Sequence, residues 1–73
     1  MIKFVKWRDS ATVGGWTRNR GSLSNCETIG FLVREDDECI VLAQTRCTDY
    51  DFISHANLHI IDKKSIVESH DIE

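Results

Sequence analysis

The sequence predicts an all-β fold, a small five-stranded barrel of the SH3-like or Sm-like kind with one long early loop. Three observations carry that expectation. Apolar residues alternate with a period of two in several short runs, no period of three or four persists, and Gly, Asn and Asp punctuate the runs while proline is absent. Seventy-three residues form a single domain, 1–73, because a chain this short buries only about 60% of the surface its unfolded form exposes and cannot fill two cores. Hydrophobic residues at 41% and charged residues at 29% are the proportions of a globular protein and not of a disordered one.

Residues 2–8 mix apolar and basic side chains, with Phe4 and Val5 on opposite faces, and read as the first strand. Across residues 9–25 the composition changes to Ser, Thr, Gly, Asn and Arg around Gly14-Gly15, with Val13, Trp16 and Leu23 as the large apolar groups. This is the long loop, of a length that in a small domain belongs to functional or disordered segments. Residues 26–34 alternate, with Ile29, Phe31 and Val33 on one face and Thr28, Gly30 and Leu32 on the other. Glu35-Asp36-Asp37-Glu38 makes a polar turn into the continuous apolar run Cys39-Ile40-Val41-Leu42-Ala43, which reads as a central strand buried on both faces. Residues 44–51 are polar and read as a connection. Residues 52–61 then place Ala56, Leu58 and Ile60 opposite His55, Asn57 and His59. Asp62-Lys63-Lys64 is a tight link, residues 65–68 a short last strand, and residues 69–73 a frayed acidic tail.

A domain this small commonly needs a brace. Cys26, Cys39 and Cys47 are odd in number and lack C-x-x-C spacing, so free thiols are expected and not a disulfide framework or a zinc site. His55 and His59 are four residues apart, which along a strand is about 13 Å and too far for one metal ion. Association into a homo-oligomer is the brace that remains. The N-terminus has no apolar signal core, and no apolar run reaches the roughly 18 residues of a membrane span, so no membrane partner is expected.

Net charge is −3, divided into +4 over residues 1–34 and −7 over residues 35–73. Interleaving of the strands cancels part of that division; a basic surface near the first strand and its loop is the other reading. With a pI near 5.5, long nucleic acid is disfavoured, since such polymers call for a strong basic excess. A short anionic ligand needs only a local pocket.

No G-x-S-x-G, P-loop or H-E-x-x-H pattern occurs, and Cys47, Asp51, Ser54 and His55 form no recognised catalytic motif, so neither enzymatic activity nor a cofactor is expected. A ligand pocket can be drawn from Trp7, Asp9, Ser10, Trp16 and Thr28, with Arg18 or Arg20 to pair a phosphate and the Gly14-Gly15 amides to cradle an anion. Core packing by Trp7 and turn capping by Asp9 and Ser10 account for the same residues. A second surface is acidic: Glu35, Asp36, Asp37 and Glu38, together with Tyr50 between Asp49 and Asp51, suit a basic protein partner or simply keep turns solvated.

Trp7-Arg8-Asp9-Ser10, the later Gly15-Trp16, and Cys26-Glu27-Thr28-Ile29-Gly30-Phe31-Leu32-Val33 running into Ile40-Val41-Leu42-Ala43 resemble a family of small bacteriophage-encoded proteins, most without an assigned function. The resemblance covers most of the chain. It departs in the loop, where relatives have a short helical insertion and this chain has Thr17-Arg18-Asn19-Arg20-Gly21-Ser22-Leu23-Ser24. The resemblance implies a phage accessory protein acting in the cytoplasm of a bacterial host. The resemblance supplies no ligand; with the pocket and the acidic surface drawn above, the expected function is that of a non-enzymatic protein that interferes with a host component, by sequestering a small nucleotide signal or by docking on a host protein. An Sm-like nucleic-acid-binding module and a minor structural protein of the virion are the alternatives.

Overall fold

The computed structural model describes residues 1–9, 23–48 and 53–73. They form five strands, β1 (Ile2–Asp9), β2 (Ser24–Glu35), β3 (Cys39–Cys47), β4 (Ser54–Asp62) and β5 (Ile66–Asp71), with a single 3₁₀ turn, Lys63–Ser65, between β4 and β5. All neighbours are antiparallel in one sheet of order β4-β3-β2-β1-β5. The first four strands form a meander and the last returns to pair with the first. Among the described residues no helix is long and apolar enough to cross a membrane.

Pleating separates the two faces of this sheet. On the inner face, Val5, Ile40, Leu42 and Ile61 are fully buried together, and Trp7, Leu32 and Ile66 pack around them. Val5 stands on β1 and Ile61 on β4, with two strands between them in the sheet order. Strands lie about 4.8 Å apart, so on a flat sheet the two would be about 14 Å apart. Their meeting requires the sheet to curl, which makes the molecule a small barrel-like all-β fold. A bulge in β2 between Leu32 and Arg34, and another at Lys6/Trp7 against β5, supply places where the ladder bends.

Two glycine and aspartate positions shape the closure. A Cβ on Gly30 would sit 2.8 Å from the Ala43 carbonyl oxygen and 3.1 Å from Leu42 Cβ, so the absence of a side chain lets β2 and β3 approach closely. Asp62 caps the 3₁₀ turn by accepting from the Lys64 amide at 2.9 Å, while the Lys63 amide donates to the Glu38 carbonyl at 2.8 Å. The link between β4 and β5 is thereby pinned to the turn between β2 and β3.

Three expectations are corrected. Strand β3 continues through Gln44, Thr45, Arg46 and Cys47, because β4 supplies backbone partners for its polar half. The supposed tail is strand: Ser69, His70 and Asp71 pair with Val5, Phe4 and Lys3, and the Ile2 amide donates to the Glu73 carbonyl at 2.6 Å. The early loop is shorter than residues 9–25, since Asp9 pairs with Ser24 and Arg8 with Asn25. On β4 the two faces are as grouped from the sequence, with Leu58 and Ile60 turned outward and exposed and His59 on the inner face opposite Leu42.

Candidate functional site

The side chains of Trp7 and Thr28 meet because β1 and β2 pair in unbroken register, with Trp7 opposite Cys26 and Val5 opposite Thr28. Trp7 Nε1 donates to Thr28 Oγ1 at 2.9 Å. A half-buried indole N–H needs such an acceptor, and a hydroxyl one diagonal away provides it. On its other side the indole meets the His59 imidazole edge-on, with ring centroids 5.2 Å apart and planes at 83°. Residues from β1, β2 and β4 therefore converge at one place inside the curl.

Beside them the sheet opens. Pairing of β2 with β3 ends at Phe31↔Ala43, whereas β3 stays paired with β4 as far as Cys47↔Ser54. The diverging strands leave a cleft of about 310 Å³ over Leu42 and Ala43, bordered by Glu27, Thr28 and Ile29 on β2, Gln44 on β3, and Asn57 and His59 on β4. The β3–β4 ladder passes from Ala43↔Leu58 to Thr45↔Ala56 without a Gln44↔Asn57 pair. At that break Asn57 takes φ 59°, a left-handed conformation that asparagine tolerates better than other residues with a Cβ. Backbone irregularities of this kind concentrate at ligand sites.

The cleft thus combines an apolar floor with a carboxylate, a hydroxyl, two carboxamides and an imidazole. Thr28 Oγ1 accepts from Trp7 and keeps its own proton for donation; Gln44 and Asn57 each offer both a donor and an acceptor. Such a set is chemically able to pair with donors and acceptors along the edge of a small flat ligand. A volume of this size is at the low end for small-molecule sites, enough for a base or nucleoside-sized group.

Of the residues expected to bind a ligand, Trp7, Asp9 and Thr28 are on the same inner face by register. Ser10, Trp16, Arg18 and Arg20 lie outside the described residues, as does Tyr50. Lys6 and Arg8 fall on the opposite, outer face of β1, where they border a hollow of about 450 Å³ with Asn25 and Val67. Among the described residues no three His, Cys, Asp or Glu side chains gather to hold a metal ion.

The acidic turn is partly consumed within the chain. Glu35 accepts from Lys63 Nζ at 2.7 Å and from Lys3 Nζ at 2.9 Å, and these bonds hold its carboxyl below the usual value of 4.5. Asp36 accepts from the backbone amides of Glu38 and Cys39, which lower its pKa, and it also pairs with Arg34 at 3.0 Å. Asp37 and Glu38 remain as exposed carboxylates at the tip.

Sequence reasoning missed Glu27, Gln44, Asn57 and His59. Alternation in β4 had grouped Asn57 with His59, but an apolar-inside rule turns that face to solvent. The adjacent Ile60 and Ile61 were the signal, since two neighbouring isoleucines give each face a claim on the core.

No family model, curated protein or solved structure matches the chain significantly. Fold and site together define a small, curled all-β protein with a polar cleft opening between two diverging strands.

Proposed function

We propose that the chain is a non-enzymatic phage accessory protein that acts in the bacterial cytoplasm by sequestering a small nucleotide signal, held by its base in the cleft between Thr28, Gln44, Asn57 and His59. The observation that carries this reading is the convergence of Thr28, Gln44, Asn57 and His59 on a nucleoside-sized opening over Leu42 and Ala43. Thr28 is half-buried, while Gln44, Asn57 and His59 are exposed at the rim, so their donors and acceptors are open to an arriving ligand. The arginines of the early loop, Arg18 and Arg20, are the candidates for the phosphate. Docking on a basic host protein through the acidic turn has narrower support, because Glu35 and Asp36, though exposed, are engaged within the chain by Lys3, Lys63, Arg34 and backbone amides.

Native mass spectrometry of the protein with a panel of cyclic and linear nucleotides tests the reading. A discrete nucleotide mass is expected on the wild type, and its loss in His59→Ala and in Asn57→Gly, a substitution that keeps the left-handed backbone while deleting the amide. A panel that adds no mass to the wild type overturns nucleotide sequestration, as does full retention of a bound nucleotide by both variants.

A further inference from the structure

Most of the cations in the described residues are engaged within the chain. Lys3, Lys63 and Arg34 form ion pairs with Glu35, Asp71 and Asp36, and the Arg46 guanidinium lies 4.6 Å from the Phe31 ring centroid. Among the described residues that leaves Lys6, Arg8 and Lys64, all three exposed and none in an ion pair. They also share a place. Lys6 and Arg8 border the hollow of about 450 Å³ on the outer face of β1, and Arg8 and Lys64 border a neighbouring hollow of about 400 Å³ walled by Leu23, Ile66 and Val67. Arg8 and Val67 belong to both, so the two hollows form one trough.

The end of the β1–β5 ladder makes this trough. Pairing stops at Trp7↔Ile66, next to the bulge at Lys6/Trp7, so Arg8 has β2 on one side and, on the other, the 3₁₀ turn that carries Lys64. Arg8 Nε donates to Asn25 Oδ1 at 3.3 Å, which leaves the terminal nitrogens of the guanidinium for another acceptor. The carboxylate on the lining is Asp62, which accepts from the Lys64 amide at 2.9 Å as the cap of the turn. Glu27 and Glu68 are the cross-strand neighbours of Lys6; neither closes an ion pair with it, and Glu68 lies 3.7 Å from His70 Nδ1 instead. Their charge weakens Lys6 more than it does Arg8 and Lys64, which are the pair that matters.

We infer that this trough binds a phosphate-bearing anion, with Arg8 and Lys64 on its oxygens, at a place that shares no residue with the cleft between β2 and β3. A planar guanidinium matches two phosphate oxygens at once, and an ammonium adds a point charge beside it. Three cations against one carboxylate on the lining set a local positive field in a chain whose net charge is −3. That field is short, and with a pI near 5.5 it suits a compact anion and not a long polymer. Leu23 and Val67, 51% and 62% exposed, supply an apolar side on which an organic group attached to the phosphate can rest.

Amide chemical shifts of the isotope-labelled protein, followed during titration with pyrophosphate and separately with a nucleoside monophosphate, test the site against sodium chloride at matched ionic strength. Saturable shifts are expected at Arg8, Asn25, Lys64 and Val67. Arg8→Gln with Lys64→Gln should weaken binding about tenfold. Asp62→Asn, which keeps a capping oxygen and removes the opposing charge, should tighten it about threefold. Equal or tighter binding of pyrophosphate assigns recognition to the phosphate alone, and tighter binding of the nucleoside monophosphate with added shifts at Leu23 brings in the organic group. Shifts no larger than those from sodium chloride, or an affinity untouched by the double substitution, overturn the proposal. So do nucleotide shifts confined to Gln44, Asn57 and His59, an outcome that leaves the cleft standing. Should the doubly substituted chain unfold, Asp62→Asn still reads the site, and anything but tighter binding there overturns it.

Discussion

Alanine at position 30 would place a methyl group 2.8 Å from the Ala43 carbonyl oxygen and 3.1 Å from Leu42 Cβ. Ordinary van der Waals contact begins near 3.4 Å, so β2 and β3 would have to separate by about half an ångström where their pairing is already about to end. The nearer atom belongs to backbone held in the β3–β4 ladder and has no rotamer by which to withdraw. Overpacking of this kind costs about 1–3 kcal/mol. Against it, alanine restricts the unfolded chain and recovers about 0.4–1 kcal/mol. The net loss is then about 1–2 kcal/mol, a fall in Tm of about 5–15 °C for a domain this small. Urea unfolding monitored by tryptophan fluorescence would show the midpoint lowered by about 1 M with an unchanged slope. A Gly30→Ala protein as stable as the wild type, or more so, would refute the claim that close strand approach is what places glycine there.

Further outcomes follow from the same geometry. Ile61→Ala should lose about 2–5 kcal/mol by opening a core cavity, whereas Ile60→Ala should change stability by less than about 0.5 kcal/mol; denaturant titration of the pair reads directly which face of β4 is inside. Asn57→Val should destabilise by about 1–2 kcal/mol, since a β-branched side chain resists φ 59°, while Asn57→Gly should be neutral or better in the same thermal melt. Glu35 has a depressed folded-state pKa, so its contribution is present above the unfolded value near 4.5 and disappears as pH falls through the lower folded value. Lys3, held above 10.5 mainly by its bond to Glu35, contributes below that pH and ceases to as pH rises through its folded value. Glu35→Gln should therefore flatten both the acid and the alkaline limb of a Tm-against-pH curve, and unchanged limbs would mean that the Lys3–Glu35–Lys63 bridge is not formed in solution.

What the residues disclosed and what they concealed divide along a physical line. The run Ile40 to Ala43 announced a strand covered on both faces because burial there is a property of side chains, and all four are buried. The alternation of β2 was equally plain, yet it could not say which set turns inward. The structure chooses Thr28, Gly30 and Leu32, the less apolar set, because Gly30 permits close approach and Thr28 satisfies the Trp7 indole. The polar half of β3 and residues 69–71 were read as loop and tail for a common reason. Both are held by main-chain ladders to β4 and β1, and such bonds leave no mark on side-chain chemistry. The cleft was hidden for a related one: Gln44 and Asn57 are brought together by a missing ladder pair, which no local spacing encodes.

Pairing of β5 with β1 sets Asp71 against Lys3, nearly the whole length of the chain apart. Such a contact has a kinetic consequence. The meander from β1 to β4 can form from neighbours in sequence, but the outer edge of β1 stays open until the last strand arrives, and closing so long a loop is entropically slow. Refolding is accordingly expected in the millisecond-to-second range of non-local β topologies and not in the microseconds of helical domains. During synthesis the nascent chain must wait with that edge exposed until β5 leaves the ribosome, so the hazard of edge-to-edge aggregation is greater before β5 emerges than after it has paired.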